Sequence, residues 1–183
     1  MPEYRRYYVT GGKYFFTVVT DGRRPIFTGE SARTCLRDSF AAVRKRWPFT
    51  VVAIVLLDNH LHAVWALPPG DANYSVRWRL IKESFTRRWL RIVGRGSARS
   101  RSRQRRGEQA VWQRRFWEHV CRDEDDLKRC VDYVHWNPKK HGLVQRVADW
   151  PWSTFHRFVQ QGEYDLDWGG SDPAPKFDMP DIA

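Results

Sequence analysis

The stretch from Phe49 to Leu67 constrains the fold more than any other part of the chain. It holds two apolar runs of strand length, FTVVAIVLL and HLHAVWAL, joined by Asp58-Asn59. A continuous apolar run this short suits a strand covered on both faces, and Asp-Asn is turn chemistry. The reading is a buried strand over Phe49–Leu57, paired in a hairpin with a strand over His60–Leu67 that Pro68-Pro69-Gly70 closes. Upstream, Lys13–Thr20 (KYFFTVVT) is β-rich and predicts a first strand. Ser31–Arg46 predicts a helix, with Leu36, Phe40 and Val43 at helical spacing and Pro48 as its stop. Downstream, Asp71–Val93 predicts a second helical region with Trp78, Ile81, Phe85 and Trp89 on one side, and Trp112–Val120 a fourth strand. Asp123 reads as the N-cap of a third helix, with Glu124, Asp125 and Asp126 in its first turn. Leu127, Cys130, Val131 and Val134 form its apolar stripe, and Asn137-Pro138 is expected to end it. Ser153 is expected to cap a short last helix. The order β-α-β-β-α-β predicts an α+β fold, a ferredoxin-like antiparallel sheet with helices on one face.

A chain of 183 residues with 42% hydrophobic residues suits one domain with a sizeable core. Residues 1–162 are read as that domain and 163–183, rich in Gly, Asp and Pro, as an irregular tail. Residues 94–107 (GRGSARSRSRQRRG) hold six arginines and no apolar side chain larger than alanine, and read as a basic mobile loop. The formal net charge of +11 favours a polyanionic partner. Nucleic acid is preferred over a membrane, since no long apolar run or basic amphipathic helix is present. Met1–Thr10 has no apolar signal-peptide core, so a cytoplasmic location is expected. Cys35, Cys121 and Cys130 are odd in number and lack CxxC spacing. That argues against a disulfide framework and a cysteine zinc site, and they read as buried thiols.

Two patterns carry chemistry. In His60-Leu61-His62, a strand turns both imidazoles to one face and Leu61 to the core, a spacing suited to two ligands of one divalent ion. In Tyr133 and Asn137, helical i, i+4 spacing places a phenol and a neutral oxygen donor on one face, at the edge of the apolar stripe. On these residues alone, a structural histidine pair and a core-edge tyrosine with a capping asparagine remain open.

Together with GKYFFT at Gly12–Thr17, Ala53–Trp65 around the histidines, WQRRFWEH at Trp112–His119, YVHWNPKKHGLV at Tyr133–Val144 and DWPWSTF at Asp149–Phe155, these patterns resemble the REP-associated tyrosine transposases. Those belong to the wider single-tyrosine HUH (IS200-like) transposases, where HUH denotes His, hydrophobic, His. The resemblance runs from about Gly11 to Trp168. It departs where Leu57-Asp58-Asn59 lacks the family's usual turn proline and where residues 94–107 are unusually arginine-rich. It implies a catalytic tyrosine, Tyr133, on an added C-terminal helix, and Mg²⁺ or Mn²⁺ held by His60, His62 and Asn137. It further implies single-stranded DNA near a palindromic hairpin as substrate and a 5′-phosphotyrosine intermediate. Arg114, Arg115, Arg122, Lys139 and Lys140 flank the expected site and are candidates to hold DNA phosphates. His119 and His141 are read as structural or DNA-contact residues. A bacterial, nucleoid-associated monomer or homodimer is expected. The alternatives are a catalytically silent single-stranded nucleic-acid (hairpin) binding protein and an HUH relaxase or replication initiator.

Overall fold

The structure is a computed structural model that describes residues 6–94, 101–105, 107, 109–170, 174, 175 and 177. Its centre is a four-stranded antiparallel sheet of β1 (Lys13–Val19), β2 (Thr50–Leu56), β3 (His60–Ala66) and β4 (Trp117–Val120), in the order β2-β3-β1-β4. Helices α1 (Glu30–Arg46) and α2 (Tyr74–Val93) are the two crossovers of the predicted ferredoxin-like plan. The Phe49–Leu67 stretch forms the β2–β3 hairpin as read. β4 is shorter than its predicted span: Trp112 makes only an isolated bridge to Thr20. Arg101–Arg105 form a short helix, α3, where a loop was expected; residues 95–100 and 106 of the basic stretch lie outside the described residues.

The sheet has two occupied faces. Tyr14, Phe16 and Val18 of β1 and Leu61, Ala63 and Trp65 of β3 pack with α1 and α2, where Trp65 stacks on Trp78 with ring centroids 4.2 Å apart. The opposite face carries Phe15, Val55 and Val64 and is covered by Cys130, Val131, Tyr133 and Val134 of α4 (Glu124–Lys140). The expectation of helices on one face is therefore corrected: α4 takes the other. Both faces being covered is why β2 reads as an unbroken apolar run. A register shift between Val51 and Ala53 lets Val52 and Ala53 both turn to the α4 side.

Asp123 caps α4, its side chain accepting from the Asp126 backbone N–H at 2.7 Å. The helix does not end at Asn137-Pro138 but runs through Pro138 to Lys140. Proline removes one N–H, yet His141 N–H still reaches the Asn137 carbonyl at 3.0 Å and closes the final turn. After α4, Val147–Asp149 make a 3-10 turn and Phe155–Gln160 form α5, with Ser153 Oγ accepting from Phe155 N–H at 3.1 Å. Residues 152–154 lie along the outer edge of β2: Leu56 N–H donates to the Trp152 carbonyl at 2.8 Å and Thr154 N–H to the Ile54 carbonyl at 2.9 Å. Tyr164 and Trp168 pack onto Trp136 and Phe155.

Candidate active site

The site lies on the α4 face of the sheet, where β3 begins. Alternation along β3 turns His60 and His62 to that face, with ring centroids 4.9 Å apart, while Leu61 is buried on the other. Each imidazole is held through Nδ1. Asn59 Oδ1 lies 2.6 Å from His60 Nδ1. A carboxamide oxygen can only accept, so that nitrogen carries the hydrogen and Nε2 keeps its lone pair. His62 Nδ1 is 2.8 Å from Thr17 Oγ1, its neighbour directly across the β1–β3 ladder. Burial first, then the charges of His141, Arg23 and Lys140, lowers the His60 pKa to about 3. Burial likewise holds His62 well below the ordinary histidine range. Both rings are therefore neutral at neutral pH, the form in which imidazole binds a metal.

α4 faces this pair. The Tyr133 ring lies edge-on to His62 at 5.5 Å and to Phe15 at 5.8 Å. Expected at the edge of the apolar stripe, Tyr133 is instead only 4% exposed, because the stripe widens where α4 meets the flat face of β1 and β3. Phe177 also lies against its ring, at 5.2 Å. One turn on, Asn137 is fully buried, and its Nδ2 donates to the Tyr133 carbonyl at 2.6 Å. Its Oδ1 is buried without a hydrogen-bond partner among the described residues. An unsatisfied buried acceptor costs about 1–3 kcal/mol, and this one, which approaches His62, is a candidate ligand for a cation. Two neutral imidazole nitrogens and that oxygen fit one divalent ion.

The flanking cations separate by position. Lys140, two turns after Tyr133, donates its Nζ to Tyr133 Oη at 3.0 Å and sits over the ring at 4.8 Å. Lys139 instead donates to the carbonyls of Gly169 and Gly170 and packs over Trp136. Arg122 Nε is 2.9 Å from Asp126 Oδ2. Arg114 and Arg115 are exposed on the segment before β4, where Lys82 reaches the Arg114 carbonyl. Sequence reasoning missed three contributors. Thr17 and Asn59 orient the imidazoles, and Arg23, in left-handed backbone at φ 51° with its carbonyl held by Asn59 Nδ2, lends its charge to the His60 environment. Only the β1–β3 register could have placed Thr17 opposite His62. His141 ends α4 with its ring 5.2 Å from that of His60, adding a third imidazole to the cluster.

The paired histidines of the sheet thus lie under a helix that carries one tyrosine. Residues 8–137 match the sequence profile of the family described as "Transposase IS200 like", and the chain belongs to that family. It is 42% identical over 170 residues to the REP-associated tyrosine transposase of Escherichia coli (strain K12), covering 93% of this chain and 92% of that protein. A solved REP-associated tyrosine transposase bound to a REP hairpin superposes with a TM-score of 0.75 at 39% identity, covering 98% of this chain and 99% of that one. Among the described residues no helix is long and apolar enough to cross a membrane.

Proposed function

We propose that this transposase cuts and rejoins single-stranded DNA beside a palindromic hairpin, with Tyr133 as its nucleophile. The observation that carries the reading is the Tyr133 ring beside His62 at 5.5 Å, with the partnerless Asn137 oxygen one turn away on the same helix. The hairpin substrate is extended to this chain from its solved relative, whose bound DNA is a REP hairpin.

Tyr133 Oη attacks the scissile phosphorus, an O–P bond forms to the tyrosine, the bond to the 3′ oxygen breaks, and the proton lost by the phenol is balanced by one taken up on that leaving oxygen. The products are a 5′-phosphotyrosine and a free 3′-OH. Lys140 Nζ, donating to Oη, holds a positive charge at the attacking oxygen and fixes the direction of its lone pairs. His60, His62 and Asn137 would hold a divalent ion, Mg²⁺ or Mn²⁺, which when bound supplies Lewis-acid polarisation of the phosphate. The phosphotyrosine conserves the broken ester, so an incoming 3′-OH reverses the step and joins strands. Arg114, Arg115 and Arg122, exposed around β4, and Lys140 are the side chains proposed to meet the DNA backbone. Lys139 supports that surface through residues 169 and 170.

The test is a denaturing gel of the full chain incubated with a hairpin oligonucleotide bearing a single-stranded flank and Mn²⁺. Wild type is expected to give a covalent adduct. Tyr133→Phe deletes one oxygen and keeps the ring, so the variant should fold and bind DNA but give neither adduct nor cut strand. A cut strand with a free 5′-phosphate from Tyr133→Phe would make water the nucleophile and overturn the reading.

A further inference from the structure

On the same sheet face, but on the far side of Phe15 from His62, the end of β4 meets the first turns of α4. His119 and Cys121 are two residues apart on an extended segment, which turns both side chains one way. Pairing with β1 continues through Cys121, whose N–H donates to the Lys13 carbonyl at 2.9 Å. Asp126 and Cys130 are four apart on α4, one above the other. The ligand atoms of His119, Asp126 and Cys130 all lie within 4.8 Å of one another. Cys121 Sγ lies 3.8 Å from Cys130 Sγ. The imidazole, the carboxylate and the Cys130 thiol thus form one cluster, and the Cys121 thiol borders it through Cys130.

The thiol pair already has the spacing of two ligands on one metal, and the Cys121 thiol has to close on His119 and Asp126 to complete a tetrahedron. Two thiolates on one zinc, with Zn–S bonds of about 2.3 Å, stand about 3.8 Å apart, which is the separation already present. His119 Nε2 and Asp126 Oδ2 are 2.9 Å apart, a hydrogen bond. Ligand bonds of about 2.05 Å would open that edge to roughly 3.3 Å, a shift within the reach of side-chain rotation. The charges also match. Two thiolates and a carboxylate exceed a divalent ion by one negative charge, and Arg122 Nε at 2.9 Å and Arg129 Nη2 at 3.5 Å from the Asp126 oxygens offset it. Asp126 and Cys130 are buried, so the set is screened from competing water.

We propose that His119, Cys121, Asp126 and Cys130 bind one zinc ion that staples β4 to α4, three residues ahead of Tyr133. Sulfur ligands select zinc over Mg²⁺ or Mn²⁺, so this site differs in chemistry from the His60–His62 pair. Binding releases two thiol protons to solvent, and the hydrogen now on His119 Nε2 moves to Nδ1 so that Nε2 can bind. The absence of CxxC spacing argued against such a site in the sequence. The ligands here come from H-x-C on a strand and D-x3-C on a helix, and only their packing unites them.

The test uses the chelator-treated full chain under reductant, with Co²⁺ as the probe. One equivalent should produce the thiolate-to-cobalt charge-transfer band, and added Zn²⁺ should bleach it. The band should persist in the His60→Ala/His62→Ala double variant and disappear in Cys121→Ser, a half-buried position where the fold is expected to survive. Zn²⁺ should raise the melting temperature of the His60→Ala/His62→Ala variant and leave that of the same variant carrying Cys121→Ser unchanged. A folded wild-type chain without the band overturns the proposal, as does a band that survives Cys121→Ser or vanishes with the two histidines. The cobalt readout is independent of Tyr133 and its adduct, so each proposal can fail alone.

Discussion

At the scale of single residues, the site is built in two layers. His60, His62 and Asn137 are the proposed donors, while Asn59 sets the tautomer of His60 and Thr17 holds the Nδ1 side of the His62 ring. Partners of that kind usually change metal affinity by about 10- to 100-fold when removed. Thr17→Val keeps the shape and deletes the hydroxyl. It should weaken metal binding by at least about 10-fold, measured by isothermal titration with Mn²⁺, with the melting temperature little changed. Equal affinity in the variant would show that Thr17 does not orient His62. That His60 shares a face with His62, and Tyr133 with Asn137, was legible in the sequence, since strand alternation and helical i, i+4 spacing depend only on local geometry. Thr17, the Lys140 bond to Tyr133 and the His119–Cys130 cluster were not. Each depends on which residues face one another across two elements, and no single segment encodes that.

At the scale of elements, α4 shows where local rules held and where packing overrode them. Its N-terminus was readable from Asp123 and the acidic turn. Its C-terminus was not, because Pro138 falls where the helix is already closing and only one bond is lost. That extra turn brings Lys140 back over Tyr133. α2 depends on a different anchor. Arg77, fully buried, donates to both Asp71 oxygens at 3.1 and 2.6 Å and to the Pro48 carbonyl at 2.7 Å. It thereby ties the start of α2 to the segments on either side of the β2–β3 hairpin. Asp71→Asn leaves this guanidinium without its counter-charge and should cost about 3 kcal/mol, seen as a fall in thermal stability. The Arg77 bond holds the Asp71 carboxyl below its usual range. Its contribution is therefore complete above the unfolded value near pH 4 and is lost as pH falls through the folded value. Melting temperature should drop more steeply below pH 4 in wild type than in Asp71→Asn; parallel curves would show that the pair does not contribute.

At the scale of the whole molecule, the net charge of +11 and the exposed arginines around β4 are what the proposed DNA binding rests on. Deleting Ser97–Arg106 removes five arginines and no apolar residue larger than alanine. Binding to single-stranded DNA should weaken, and the slope of log affinity against log salt should become shallower by roughly 0.7 for each phosphate that is no longer neutralised. An unchanged slope would mean that this stretch does not touch DNA. The overall plan was legible in the order of apolar runs, but the assignment of faces was not, because α4 could be read as a helix without revealing which side of the sheet it covers. One further feature governs how the molecule behaves toward its own kind. A bare outer strand invites another chain to zip onto it and so seeds aggregates. Here residues 152–154 occupy the β2 edge, and Arg157 caps the Val51 and Val52 carbonyls further along. The part of the chain matching the family profile stops at residue 137. A fragment trimmed to that boundary would keep the proposed nucleophile and metal donors yet lose the strip that covers the sheet edge, so protection against aggregation rests on a stretch to which the proposed chemistry assigns no residue.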